Sequence, residues 1–81
     1  MFNISFSKKA NKEFEGLEKK YKERVEDALR ILSFDPVPVR YFDVVKLKGV
    51  EDTYRIRIGK IRIVYNVIWK NRDIVIFRVK K

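Results

Sequence analysis

Strict alternation of apolar and polar residues marks the stretch from residue 54 to residue 65, near the middle of the chain. Successive side chains of a β-strand leave on opposite sheet faces, so this pattern predicts two strands with one apolar face. Gly59 and Lys60 stand between the two halves, where a two-residue hairpin loop needs a residue that tolerates positive φ. The apolar positions are Tyr54, Ile56, Ile58, Ile61, Ile63 and Tyr65, and the arginines between them are Arg55, Arg57 and Arg62.

Helical periodicity replaces the alternation over residues 8–34, where apolar residues recur at spacings of three and four. Ser7 precedes this region as a predicted N-cap, because its hydroxyl oxygen can accept a hydrogen bond from a free backbone amide of the first turn. One helix of about 27 residues would span about 40 Å, which is too long for so small a chain. We therefore predict a break between Gly16 and Tyr21. The stripe expected to face the core is Ala10, Phe14, Leu17, Tyr21, Val25, Ala28, Leu29 and Leu32.

The remaining segments complete a predicted order β-α-α-β-β-β, which is an α+β fold over the single domain 1–81. Residues 2–6 predict a first strand, and Asp35-Pro36-Val37-Pro38 ends the helical region. Residues 39–45 are predicted to be a connector whose Tyr41 and Phe42 cover the edge of the core. Residues 74–79 are nearly all apolar, so we expect a central strand covered on both faces. The helices are expected to pack on one face of a small, mainly antiparallel sheet.

Two residue types that often carry chemistry are missing, since the sequence has neither cysteine nor histidine. Disulfides, thiolate zinc sites and cysteine nucleophiles are excluded, as is a histidine general base. Any catalysis must use arginine, lysine, tyrosine or a carboxylate, and no metal or cofactor is predicted. No apolar run approaches the ~18 residues of a membrane span, so a cytoplasmic protein with no membrane association is expected.

The charge balance is strongly basic, with 20 Lys and Arg against 11 Asp and Glu and a net charge of +9. Such a field favours polyanionic partners such as nucleic acid. The alternative is a thermophile surface rich in Lys, Glu and Arg, but such a surface normally balances its signs.

The alternation sends Arg55, Arg57 and Arg62 to the same face of the hairpin, with neighbouring side chains only ~5 Å apart. Like charges at that distance repel unless an anion lies between them, and phosphate fits the planar fork of arginine. The alternative is a face charged only for solubility. That explanation is weakened because no acidic residue lies between Asp52 and Asp73. The predicted catalytic residues are these arginines, and the predicted RNA-binding residues are Lys46, Lys48, Lys60, Lys80 and Lys81.

The segment KLKG, a short acidic turn and YRIRIGKIRIVY together resemble the signature of the RelE/ParE toxin superfamily. The resemblance extends over nearly the whole chain, through the first strand, SKKA at a helix start and the helical pair. It implies a ribosome-dependent ribonuclease that cleaves mRNA in the decoding site, where a ribose 2′-hydroxyl attacks the adjacent phosphate. Arg55 and Arg57 stand at the family's paired basic positions, and Arg62 stands at its phosphate clamp. The resemblance also implies a RelB-like antitoxin that covers the basic face, and it leaves the oligomeric state of the free toxin open.

One departure from the family pattern lies at the end, where active relatives continue with an arginine and then a tyrosine. This sequence stops at Lys80-Lys81, which predicts weakened cleavage with RNA or ribosome binding retained, since a lost general acid costs 10²–10⁴-fold. The alternation of the second hairpin strand places Tyr65 on the core side. The alternatives are a catalytically silent RNA- or antitoxin-binding protein and a ParE-like gyrase inhibitor. A general single-strand binder is disfavoured, because its aromatic candidates (Trp69, Tyr41 and Phe42) all lie in predicted loops.

Overall fold

The structure, a computed structural model, describes all residues from Met1 to Lys81. Two helices follow the first strand, and four more strands complete the chain. The elements are β1 (Asn3–Phe6), α1 (Lys8–Glu15), α2 (Lys19–Phe34), β2 (Asp43–Lys46), β3 (Thr53–Ile58), β4 (Ile61–Ile68) and β5 (Asp73–Lys80).

The helical region divides where the sequence predicts. The Ala10 amide donates to the Ser7 hydroxyl over 3.1 Å, which confirms Ser7 as the N-cap of α1. Gly16 ends that helix and α2 begins at Lys19, so the break lies within the predicted interval. Neither helix is both long and apolar enough to cross a membrane.

All five strands form one sheet in the order β1-β5-β4-β3-β2. The last four strands pair antiparallel with their chain neighbours, whereas β1 pairs parallel with β5. A parallel neighbour needs a crossover connection, and α1 and α2 supply it. Since both helices lie in this one crossover, they cover one face of the sheet and leave the other without a helical layer.

The core lies between the helices and the covered face of the sheet. Every residue of the predicted helical stripe is either buried in this core or packed against it, which confirms the helix face. The alternation in β3 and β4 is also confirmed, because Ile56, Ile61 and Ile63 are completely buried. The sheet's remaining buried hydrophobic residues are Tyr54, Tyr65, Val67, Ile74, Ile76 and Val79.

The predicted connector over residues 39–45 is wrong in part, because β2 begins at Asp43. The sheet therefore has five strands where the sequence predicts four. β2 is a short edge strand, and only Val44 packs from it against the core, so the segment shows little of the alternation that identifies a strand. Phe42 packs against the core as predicted, whereas Tyr41 is 53% exposed and does not.

The last strand is central in the sheet, but the prediction that it is covered on both faces is wrong. Phe77 of β5 is 44% exposed and lies outside the core. The register with β4 shifts here, since Tyr65 pairs with Ile76 and Val64 pairs with Arg78. Phe77 is therefore the extra residue of a β-bulge, and the bulge restores Val79 to the core side.

Candidate nucleic-acid interface

The β3–β4 hairpin sets the geometry of the arginine face. Ile58 pairs with Ile61, so the loop consists of Gly59 and Lys60 alone. Gly59 adopts φ 59°, a left-handed conformation that side chains disfavour. This tight turn fixes the register that brings Arg57 directly opposite Arg62.

The face without helices, which we call the open face, carries two rows of residues that run across the strands. The first row, which we call the basic row, contains Asp43, Arg57, Arg62 and Lys80 on β2, β3, β4 and β5. The second row contains Val45, Arg55, Val64 and Arg78. The three predicted arginines therefore share this face, as their alternation predicts.

None of the three arginines has an ion-pair partner. The four ion pairs in the chain join Lys22 to Glu15, Arg30 to Asp27, Arg78 to Glu13 and Lys81 to Glu18. Arg57 and Arg62 are exposed and Arg55 is half-buried. Asp43 is the one acid in the basic row, and the sequence pattern does not reveal it because β2 lacks the alternation of a strand. Its carboxylate is more than 4.0 Å from the Arg57 guanidinium.

Arg78, the fourth arginine on these central strands, is held by α1. Its Nε and Nη2 atoms donate to Glu13 over 3.1–3.3 Å, and the Val79 amide donates to Glu13 Oε1 over 2.9 Å. Burial raises the pKa of Glu13, but the bonds from Arg78 and Val79 outweigh it and hold that pKa below 4.5. Glu13 thereby caps the free edge of β5, which β1 leaves unpaired beyond Ile76.

The bulge at Phe77 decides which lysine joins the arginines. Without the extra residue, strict alternation from Ile76 would turn Lys80 toward the helices. With it, Lys80 pairs with Arg62 and lies in the basic row. Phe77 follows the buried Ile76 and lies on the open face, where it is an exposed aromatic that the sequence reasoning missed. The polar positions of Arg78 and Lys80 were the one available signal that the strand has an uncovered side.

The other predicted lysines lie elsewhere. Lys46 pairs with the core residue Tyr54, so its side chain leaves on the helix side of the edge strand. Lys48 lines a shallow groove in the β2–β3 loop, and Lys60 is exposed at the hairpin turn. Lys81 lies on the helix side, with its Nζ 4.6 Å from the Tyr21 ring centroid. Of the predicted RNA-binding lysines, only Lys80 lies in a row with the arginines.

Tyr65 is placed in the core, as its parity predicts. It has no exposed surface, and its hydroxyl donates to the Pro36 carbonyl oxygen over 2.8 Å. Burial, the neighbouring Tyr54 and Asp35 all raise the pKa of its phenol above 10.0. The Tyr65 phenol therefore cannot contact a ligand on the open face, and it keeps its proton at neutral pH.

Comparison with known proteins decides the family. The model for the ParE toxin of the parDE type II toxin–antitoxin system matches residues 4–81. A Methanocaldococcus jannaschii protein that carries the name toxin RelE1 is 32% identical over 80 residues, covering 99% of this chain and 89% of that protein. The chain belongs to the RelE/ParE toxin superfamily. This membership confirms the resemblance drawn from the hairpin sequence.

Solved structures of RelE proteins share the whole fold of this superfamily member. The archaeal RelE–RelB complex from Pyrococcus horikoshii OT3 matches with a TM-score of 0.87 and 36% identity, covering 98% of this chain and 92% of its counterpart. The intact Escherichia coli RelBE complex matches with a TM-score of 0.85 and 25% identity, covering 100% and 96%. The α+β fold of two helices on a five-stranded mixed sheet is therefore the RelE fold.

Proposed function

We propose that this chain is the toxin of a RelBE-type toxin–antitoxin pair and cleaves mRNA in the decoding site of the ribosome. Two findings support the proposal. The chain is a RelE/ParE superfamily member over residues 4–81. It also presents its three hairpin arginines on a sheet face without a helical layer.

The observation that carries the proposal is the pair Arg57 and Arg62, directly opposed and without a carboxylate partner. Directly opposed like charges destabilise a sheet by about 0.2–1 kcal/mol. A phosphate between the two guanidiniums relieves that repulsion and accepts bidentate hydrogen bonds from each of them. Arg55 adds a third guanidinium one row away.

In the proposed cleavage step the contribution of this chain is charge stabilisation, while solvent accepts and supplies the protons. The ribose 2′-oxygen forms a bond to the adjacent phosphorus and loses its proton to solvent. The bond from phosphorus to the 5′-oxygen then breaks, and that oxygen takes a proton. Negative charge accumulates on the phosphorane, where preorganised cations stabilise the transition state more than the ground state. Arg55, Arg57 and Arg62 supply these cations, because a guanidinium is a permanent cation with five hydrogen-bond donors and is a poor base.

The proposed partner is a RelB-like antitoxin that covers the open face. The solved relatives from Pyrococcus horikoshii and Escherichia coli are complexes of RelE with RelB. The open face suits an acidic amphipathic segment, because the exposed apolar side chains of Val45 and Phe77 lie beside the arginines. Its charge complementarity with a +9 protein favours fast and tight association. We expect nanomolar or tighter binding, and micromolar affinity would contradict this assignment.

Primer extension on translating ribosomes tests the cleavage. The wild-type chain is expected to produce codon-dependent cuts, and the triple variant Arg55→Ala, Arg57→Ala, Arg62→Ala is expected to produce none while keeping its fold. The matched control removes three exposed helix cations instead, as Lys9→Ala, Lys12→Ala, Lys19→Ala. It loses the same charge and should retain cleavage. Growth arrest that persists in the arginine variant would show that the arginine face is not the active surface.

A ParE-like gyrase inhibitor is the second candidate, because the matching family model describes ParE. Such a protein acts through contacts with gyrase rather than through RNA chemistry. A supercoiling assay with purified gyrase separates the two functions. Inhibition that survives the triple arginine substitution, without any cut in the mRNA assay, would favour the ParE-like function. A protein that binds antitoxin or RNA and shows neither activity would be a silent binding module.

A further inference from the structure

We infer that Phe77, with Val64 beside it, is a stacking platform for one unpaired nucleobase of the RNA whose phosphates lie on the basic row. This inference rests on the proposed function and adds a subsite to it. Phe77 lies on β5, outside the hairpin that carries the three arginines.

The position of Phe77 follows from strand alternation after Ile76. Ile76 is completely buried, so the next side chain leaves on the open face, and Phe77 is 44% exposed there. β-Bulges commonly re-aim a side chain beside a functional site. Val64, which pairs with Arg78 at the bulge, is half-buried on the same face and gives the platform a second apolar surface.

The ring of Phe77 has no aromatic partner of its own. The close aromatic pairs are Phe2 with Trp69, Phe6 with Phe14, Tyr41 with Phe42, and Tyr54 with Tyr65. Its backbone, in contrast, is fixed on both sides. The Ser7 amide donates to the Ile76 carbonyl over 2.9 Å, and Glu13 accepts from the Val79 amide over 2.9 Å. A rigid backbone beneath an unpaired aromatic ring is the arrangement expected of a preorganised stacking surface.

The neighbours of Phe77 favour RNA as the occupant. Arg62 lies two residues from Val64, about 7 Å along β4, and Arg55 pairs directly with Val64. Single-strand sites combine a cationic track for the backbone with aromatic rings for the bases. The open face supplies both elements within the span of one or two nucleotides. An apolar side chain of a protein partner is the competing occupant, and the experiment separates the two.

The test measures binding of a single-stranded RNA hexanucleotide that carries one 2-aminopurine, whose fluorescence is quenched when the base stacks on a ring. Phe77→Ala is expected to weaken binding about 10-fold to 100-fold, the range for one lost stacked base, and to abolish the quenching. The salt dependence of RNA binding should not change, because the slope of log affinity against log salt counts neutralised phosphates.

Three further variants serve as comparisons. Phe77→Tyr should retain both the RNA affinity and the quenching. Phe77→Leu should fold like wild type and lose the quenching. Phe34→Ala removes another exposed phenylalanine, which lies at the end of α2, and as the matched control it should change neither the binding nor the quenching.

Three outcomes would overturn the inference. In the first outcome, Phe77→Ala binds RNA as tightly as wild type while the triple arginine variant does not. The stacking platform would then be wrong, and the proposed function would stand. A loss of antitoxin affinity without a loss of RNA affinity assigns Phe77 to the protein partner instead. In the third outcome, the wild-type chain binds no RNA, which would contradict both the stacking platform and the proposed cleavage of RNA.

Discussion

Arg57 on β3 and Arg62 on β4 lie directly opposite each other in the hairpin, with no carboxylate within 4.0 Å of either guanidinium. The chain has acids available, since it forms four ion pairs elsewhere. Repulsion at this position therefore persists in the free protein. A site that is unfavourable when empty and favourable when filled is expected where a polyanion binds.

Removing one of these charges should stabilise the free protein. We expect Arg62→Gln to raise the free energy of unfolding by up to about 1 kcal/mol, because Arg57 then has no like charge opposite it. The same substitution should weaken RNA binding. Urea unfolding measures the stability, and its repetition with sulfate tests the binding of an anion, since sulfate should stabilise the wild type more than the variant.

Lys70→Gln is the control for the loss of net charge, because Lys70 is exposed in the β4–β5 loop. It should change stability by less than Arg62→Gln and should leave the sulfate effect unaltered. Equal stabilisation by both substitutions would mean that overall charge, and not the opposed pair, sets the repulsion.

The hairpin loop that places these two arginines opposite each other depends on Gly59. At φ 59° an alanine adopts a left-handed conformation that costs about 1–2 kcal/mol. A methyl group added there would meet only the Arg24 guanidinium at 3.5 Å, an ordinary contact, so the backbone conformation dominates the cost. We expect Gly59→Ala to lower the free energy of unfolding by this amount in a urea titration.

Gly16 provides the matched control, because its φ of −80° is open to any residue. An added Cβ would lie 3.5 Å from the Lys12 carbonyl oxygen, again an ordinary contact. Gly16→Ala should therefore be neutral or stabilise by up to about 1 kcal/mol, through the unfolded state. If both alanines had the same effect, the backbone of Gly59 would not be the cause.

The parts of the fold that follow from one-dimensional periodicity could be predicted. Ile56 and Ile63 are buried and Arg57 and Arg62 are not, because a strand's alternation needs no knowledge of its neighbours. Ser7 and Gly59 could also be assigned, since capping and positive φ are local requirements. Each of these features depends on residues close together in the chain.

The parts that depend on the partner strand could not be predicted. β2 is a strand because β3 offers its edge, and its own residues show little pattern, so Asp43 enters the basic row without a local signal. The bulge at Phe77 exists because β5 must bury Val79 after Ile76 and also pair with β4. The prediction for Lys46 and Lys81 depends on charge alone, and charge does not determine the side of a sheet.

Glu13 should make stability depend on acidic pH. Its folded pKa lies below 4.5 because Arg78 and the Val79 amide stabilise the carboxylate. A depressed carboxyl pKa contributes stability that is fully present above the unfolded pKa and is lost as pH falls through the folded pKa. The free energy of unfolding of the wild type should therefore decline below about pH 4.5, as followed by urea titrations from about pH 6 to about pH 3.

Glu13→Gln removes the titrating group and should flatten this part of the pH profile. At neutral pH it should cost about 1–3 kcal/mol, because the Arg78 guanidinium loses its charged partner. Glu15→Gln is the control, since Glu15 is an exposed carboxylate on the same helix with only a 3.8 Å contact to Lys22. A profile that declines as steeply in Glu13→Gln as in wild type would assign the acid sensitivity to other carboxylates.

Tyr65 separates a structural tyrosine from a catalytic one. Its hydroxyl is buried and donates to the Pro36 carbonyl oxygen over 2.8 Å, so Tyr65→Phe leaves that oxygen without its donor. Loss of such a buried bond costs about 1–3 kcal/mol, and we expect this decrease in urea unfolding at neutral pH. Because Tyr65 lies on the core side of β4, away from Arg62, mRNA cleavage by the folded variant should match that of wild type. The comparison is made below the unfolding temperature of both proteins, with circular dichroism to confirm that they are equally folded. A folded Tyr65→Phe protein that no longer cuts mRNA would place this phenol in the reaction, contrary to its burial.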